Sequence, residues 1–239
     1  MTSQTPRLPR FFYRMPPRPC PYLEGRTEQN IFTELTGANT TQLYDALTQA
    51  GFRRSHNVAY RPSCPGCQAC VPVRVAAQHF EPSRSQLRIW RANADLAEVE
   101  VRPEATAEQY ALFTRYLSAR HAEGEMAGMT FADYVAMIED SPLSTSMLEY
   151  RDADDLLVAA CLVDRLADGL SAVYSFFEPA ASPRSPGSFI IMKMIERCRR
   201  ERLPYLYLGY WIDGSRKMAY KARFRPLEGL TARGWTRLP

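Results

Sequence analysis

The chain has 239 residues, a formal net charge of +4 and six cysteines, enough for one large domain or two modest ones with a real core and no disulfide staples. Its longest uninterrupted apolar run, Leu156 to Val163, is far short of the roughly 18 residues that span a bilayer, and the basic start MTSQTPRLPRFFYRMPPRPC has no apolar signal core. A helical membrane protein is excluded, and we expect a soluble cytoplasmic chain whose clustered cysteines bind metal or do chemistry rather than pair.

Charge is unevenly spread. Residues 1–95 carry +6, 96–168 carry −10 and 169–239 carry +8. The two basic blocks are mostly arginine, whose planar fork suits phosphate oxygens; an arginine-rich genome would leave the same mark. The first 25 residues are rich in proline and arginine, which predicts an extended arm lying over a folded surface. TTQLYDALTQAGF places Leu43, Ala46, Leu47 and Ala50 on one helical face between a cap at Asn39 or Thr40 and a stop at Gly51. VPVRVAA alternates as a strand, and SRSQLRIWRAN reads as a basic helix. After Leu96 the pattern predicts a strand at AEVEVRP, helices at 106–121 and 130–139, and strands at 145–151, 155–165 and 170–177. A helix over 187–202, the strand YLYLGYWI, a short helix or turn at SRKMAYKARF and a last strand over 226–237 complete the chain. The order predicts an α+β fold: a cysteine-containing module over 1–95 packed on a mixed-sheet domain over 96–239.

Cys64, Cys67 and Cys70 are spaced C-x2-C-x2-C, a spacing that lets thiolates converge on zinc or an iron–sulfur cluster. Cys20 in PRPCPYL is the natural fourth ligand, with His56 as the second choice. Cys161 and Cys198 lie in apolar surroundings and read as small core residues. No phosphate-cradling, dinucleotide or nucleophile-elbow motif is present. The three histidines are scattered, which argues against a histidine-based triad.

Three segments, GFRRSHNVAYRPSCPGCQACVPVR, GLSAVYSFFEP and YLYLGYWIDGSRKMAYKARFRPLE, together resemble the aminoacyl-tRNA–protein transferase family, in particular its bacterial aspartate/glutamate leucyltransferases. The resemblance covers nearly the whole chain and implies a GNAT-like acyltransferase domain behind the cysteine module. Cys20-Pro-Tyr-Leu23 stands where eukaryotic relatives have C-x-x-C, and Ser215 stands where many members have cysteine. The first departure leaves the metal-ligand set open, and the second argues against an essential thiol there.

The implied reaction moves an amino acid from its tRNA ester to the α-amine of a protein beginning with Asp or Glu, which marks that protein for degradation. The ester is already activated and an amine of pKa about 8 is substantially neutral, so the chemistry needs no cofactor and asks mainly for alignment. On this reading Tyr174, Ser175, Lys217 and Tyr220 are the catalytic candidates. Tyr210, Lys221, Arg223 and Arg225 are the substrate-binding ones, with a cation reading the acidic side chain. Lys193, Arg197 and Arg200 on the 187–202 helix are candidates for tRNA, and Cys20, Cys64, Cys67 and Cys70 for metal. Leucine as donor is implied by the resemblance alone, and nothing in residue chemistry excludes arginine. Two other readings stay open: a CoA-dependent acyltransferase, disfavoured by Pro183 and Pro186 in the turn that would hold pyrophosphate, and a non-enzymatic zinc module that binds RNA.

Overall fold

The computed structural model describes residues 10–239; the first nine residues of the expected arm lie outside it. The N-terminal part forms β1 (Tyr13–Arg14), β2 (Arg18–Pro19), β3 (Thr27–Glu28), β4 (Asn30–Glu34), α1 (Thr40–Gln49), β5 (Arg53–Ser55) and β6 (Val58–Pro62). Four of these strands make a small antiparallel sheet in the order β1-β4-β6-β5, and β2 pairs with β3. The sequence pattern gives no warning of this sheet, because strands of two to five residues hold too few alternations to register. Helix α1 stands where expected and stops before Gly51, whose φ of +85° suits a residue without Cβ.

The rest is built on one eight-stranded sheet. Its elements are β7 (Val71–Ala76), α2 (Arg84–Ala92), β8 (Ala97–Val101), α3 (Ala107–Arg120), α4 (Phe131–Glu139), β9 (Thr145–Arg151), β10 (Leu157–Leu166), β11 (Gly169–Phe177), α5 (Pro186–Arg200), β12 (Tyr205–Trp211), β13 (Leu227–Thr231) and β14 (Gly234–Arg237). The strand order is β14-β13-β7-β12-β11-β10-β9-β8. The expected last strand over 226–237 is a hairpin, turned at Gly234 with φ +89°. Strand β7 lies between β13 and β12, so a cut at residue 95 does not fall between sheets: the N-terminal segment supplies an inner strand of the large one.

The apolar run 156–163 explains the layering. In a strand, alternate side chains take opposite faces, and a strand covered on both faces reads as continuous apolar sequence. Ala159, Cys161 and Val163 face a core with α5, including Ile190, Met194 and Cys198. Ala160 and Leu162 face a second core with α3 and α4, including Leu112, Phe113 and Tyr134. Helices α2, α3 and α4 each begin with a reciprocal capping box, from Ser83, Thr106 and Thr130, which satisfies N–H groups the helix leaves free.

One buried ion pair joins the two sheets. Arg54 on β5 donates from Nε and Nη2 to the two carboxylate oxygens of Asp164 on β10, at 2.7 and 2.8 Å, and both side chains are fully buried. Thr145 donates a further hydrogen bond to Asp164. Among the described residues, no helix is long and apolar enough to cross a membrane.

Candidate active site in a split between two parallel strands

Strands β11 and β12 are the one parallel pair of the large sheet, and they pair only through Gly169, Leu170 and Ser171 opposite Tyr205, Leu206 and Tyr207. Beyond that point β11 keeps its ladder with β10 and β12 keeps its ladder with β7. Both ladders slip where the strands part: Val173 is skipped in one register and Leu208 in the other. A bulge of this kind frees carbonyls from the ladder and re-aims neighbouring side chains.

Arg53 takes those carbonyls. Its Nη2 donates to the oxygens of Ala172 and Val173 at 2.9 and 3.1 Å, and its Nη1 to that of Leu208 at 3.5 Å. The guanidinium therefore bridges the two strands at the fork. Gly209 makes room for it: a Cβ built there would lie 1.6 Å from Nη1, and its φ is +76°. Arg53 and Arg54 are adjacent on β5, so strand alternation sends one to the fork and the other to Asp164. Sequence reasoning missed Arg53. It lies in the segment that carries the resemblance, but its partners are more than 100 residues away.

Tyrosines gather around the fork. The Tyr210 hydroxyl sits 2.9 Å from the carbonyl oxygen of Gly51 and 3.1 Å from that of Tyr60, sharing its one proton between them. Tyr210, expected to bind substrate, is buried, and its hydroxyl ties β12 to the small sheet. Tyr174 is half-buried on β11 with its ring against Phe113, and burial pushes its phenol well above 10. Ser175 follows it, paired across the ladder with Cys161. Tyr220 keeps 39% of its surface exposed. Partial burial pushes its phenol up to about 12, against the pull of Arg53 and with a contribution from Tyr116. Tyr116 on α3 packs edge-on to His121. The His121 imidazole is held below its ordinary value by burial first and then by Lys217 and Arg120. The side chains linked electrostatically to Arg53 through Tyr220 and Tyr116, namely Tyr174, His121 and exposed Lys217, are candidates for the rim of the split.

The expected cation cluster over 217–225 does not hold together. Ser215, Met218, Lys221 and Phe224 are all buried and are linked by successive i to i+3 hydrogen bonds, the three-residue period of a 3₁₀ turn. Lys221 is one of the inward positions: its Nζ donates to the carbonyl of Tyr210, so it anchors the turn carrying Tyr220 and projects no charge to a substrate. Arg223 and Arg225 are exposed; the Arg223 backbone carbonyl accepts from Gln86 on α2, and the Arg225 guanidinium reaches the carbonyl of Leu238. Lys217 is exposed and close enough to His121 to oppose its charged form.

Burial, with a smaller repulsion from Arg53, lowers the Lys221 ammonium from its ordinary 10.5 to about 7. Above pH 10.5 folded and unfolded chains both hold the neutral amine and burial costs nothing. Between 10.5 and 7 the unfolded chain binds the proton first, so stability falls as pH falls, by about 1.4 kcal/mol per unit; below 7 the loss is complete. Lys221→Met should remove this slope. Urea unfolding at pH 7.5 and 9.5 is expected to show wild type gaining more stability than the variant on going up in pH, and parallel curves would refute the assignment.

The helix expected to face tRNA carries carboxylate partners for two of its three cations. Arg197 on α5 is surrounded by Glu98, Glu100 and Glu201, with 13% of its side chain exposed, so carboxylates already neutralise it. Lys193 pairs with Glu196 and lies over the Trp90 ring. Arg200 remains exposed. A recess of about 140 Å³ beside Arg165 and Arg197, lined also by Glu100 and Ser144, lies away from the split.

Cys20, Cys64, Cys67 and Cys70 are all part-buried free thiols. Burial pushes Cys70 up to about 12, with smaller contributions from Cys64, Cys20 and Cys67. Cys64 Sγ accepts from the Gln29 N–H. The donors suit a soft metal, yet among the described residues no three metal-ligating side chains close on a common point.

The comparisons with known proteins match this architecture from end to end. The model of the arginine-tRNA-protein transferase C terminus covers residues 108–231 and that of the N terminus residues 18–88. The chain belongs to the arginine-tRNA–protein transferase family. Proteins of this family from Paramagnetospirillum magneticum, Gluconacetobacter diazotrophicus and Parvibaculum lavamentivorans, each named aspartate/glutamate leucyltransferase, are 53%, 55% and 56% identical to it. The matches cover 97%, 100% and 100% of this chain and 95%, 92% and 99% of theirs. In fold the transferase resembles L-PGS from Bacillus licheniformis, with a TM-score of 0.53 and 11% identity over 68% of this chain and 59% of that one. Within the family model, the C-terminal match contains the split and its rim, while Arg53 lies in the N-terminal match.

Proposed function

We propose that this transferase moves leucine from leucyl-tRNA to the α-amine of proteins that begin with Asp or Glu, in the cytoplasm, creating a degradation signal. The observation that carries the reading is identity of 53–56% over nearly the full length to proteins named aspartate/glutamate leucyltransferase. We further propose that the domain is GNAT-like, with the β11/β12 split as its acyl site.

The geometry fits aminolysis of an ester. The amine nitrogen attacks the ester carbonyl, the C–N bond forms as the C–O bond to the ribose breaks, and the amine proton ends on the ribose oxygen. No strong nucleophile is required, and alignment worth an effective molarity of roughly 10⁵ M supplies most of the rate. Arg53 fixes the fork, Lys221 fixes the turn, and the Tyr174 and Tyr220 hydroxyls are the proposed hydrogen-bond partners of ester and amine; Ser175, on the opposite face of β11 from Tyr174, is not one of them. Lys217, at the rim, is the cation for the first carboxylate of the acceptor.

Purified protein given leucyl-tRNA or arginyl-tRNA and peptides differing only at their first residue is expected to attach leucine to the Asp and Glu peptides. Lys217→Ala should weaken that preference about 10-fold or more, the worth of a hydrogen bond to a charged group, with melting unchanged. Equal transfer to an Ala-initiated peptide would count against the acceptor reading, and transfer of arginine alone against the donor.

For the four cysteines we propose zinc or an iron–sulfur cluster, structural and outside the reaction. Metal and sulfide analysis of anaerobically purified protein should find one of them bound and lost in Cys64→Ser with Cys67→Ser; wild type with neither would end the proposal.

A further inference from the structure

The small sheet presents one unusual line of side chains. Tyr13 on β1 pairs with Phe32 on β4, Phe32 with Tyr60 on β6, and Tyr60 with Arg53 on β5. Directly paired residues of an antiparallel sheet share a face, one strand spacing of about 4.8 Å apart. The neighbouring positions Thr33, Ala59 and Arg54 are buried on the opposite, core-facing side. The line itself stays open: Tyr13 is 52% exposed, and Phe32 and Tyr60 are half-buried. It ends at Arg53 in the fork, where the Tyr60 ring meets Tyr210 at 6.3 Å. Tyr13 and Phe32 are already ring to ring at 5.5 Å.

We propose that this row, Tyr13, Phe32 and Tyr60, is the track on which the unpaired 3′ nucleotides of the aminoacyl-tRNA stack, leading the ester to the split; this rests on the transferase reading. Three observations favour RNA over the acceptor polypeptide. Bases offer a π-face whatever their identity, and rings at regular spacing serve that need, whereas a substrate defined only by its first residue presents nothing regular to a row of rings. Arg10 and Arg14, exposed in the segment that carries Tyr13, add positive charge at the outer end of the row, Arg14 from the other face of β1 and Arg10 while donating to the Glu34 carbonyl, and such charge attracts a phosphodiester backbone. The row also runs without a break into the fork, as a strand that must deliver its terminal ribose there requires. By contrast the arginine of α5 once expected to meet tRNA is enclosed by carboxylates.

The test separates the two substrates. Tyr13→Ala, at an exposed position that leaves folding intact, and Phe32→Ala are each expected to raise the KM for leucyl-tRNA about 10-fold, the worth of one base–aromatic stack. The KM for the Asp-initiated peptide should not move, and Phe32→Tyr should behave as wild type. Uncharged tRNA with 2-aminopurine next to its terminal adenosine should lose fluorescence on binding wild type and keep it with Tyr13→Ala, a readout that does not depend on transfer. Unchanged quenching and tRNA KM in both alanine variants would overturn the track, as would a rise in peptide KM alone. Wild type that quenches the probe but transfers no leucine would remove the transferase reading and leave the track standing.

Discussion

Arg53→Met is expected to lower kcat/KM for leucyl transfer by about 100-fold or more while the protein still folds. The side chain serves three carbonyls that two bulges have released from their ladders, those of Ala172, Val173 and Leu208. Without it the strands on either side of the fork lose the group that sets their separation, and a displacement of about 1 Å at a reacting centre costs on the order of 10²-fold. Arg53→Lys should fall between, because an ammonium is a point charge and cannot span both strands as the planar fork does. Gly209→Ala should reproduce the methionine phenotype from the other side, since its new Cβ claims the space of Nη1. Turnover by Arg53→Met equal to wild type would show that the fork does not position the reaction.

The largest expected loss of stability is at Asp164. Removing one member of a fully buried ion pair leaves the other charge without a partner, at a cost of about 3–5 kcal/mol. Asp164→Ala strands the charge of the Arg54 guanidinium, while the Thr145 hydroxyl keeps Ser141 as a partner. For a chain of this length the loss corresponds to a fall in melting temperature of about 10 °C. Arg54→Met with Asp164→Leu should recover most of it, because an apolar pair of similar size avoids the desolvation that the ion pair itself bears. A single-variant melting temperature within about 2 °C of wild type would mean that water reaches this site.

What was legible in the sequence, and what was not, follows from the range of the forces involved. β10 was legible because a strand buried on both faces is a continuous apolar run. Helices α2, α3 and α4 were legible because the residue pattern repeats at the helical period. The short strands β4 to β6 escaped notice because their hydrogen bonds, not their side chains, define them. Arg53 was invisible for a different reason: on the page it is one of two adjacent arginines, and only the fold shows that one neutralises Asp164 while its neighbour bridges a fork built by residues 172 to 208. Lys221 was misread as a projecting cation although the three-residue spacing of Ser215, Met218, Lys221 and Phe224 was there to be seen. Of the catalytic candidates, Tyr174 and Ser175 lie on opposite faces of β11, and Lys217 and Tyr220 lie in the segment after β12. Of the binding candidates, Tyr210 and Lys221 are buried and Arg223 and Arg225 are exposed.

The most direct measurement is a crystal structure with 3′-leucylamido-3′-deoxyadenosine, an amide in place of the reactive ester. The leucyl carbonyl is expected between Tyr174 on β11 and Tyr220 on its turn, with the adenosine toward Tyr60. Density for the ligand in the recess beside Arg165 and Arg197, with the β11/β12 fork empty, would contradict the assignment of the split as the place where acyl group and amine meet.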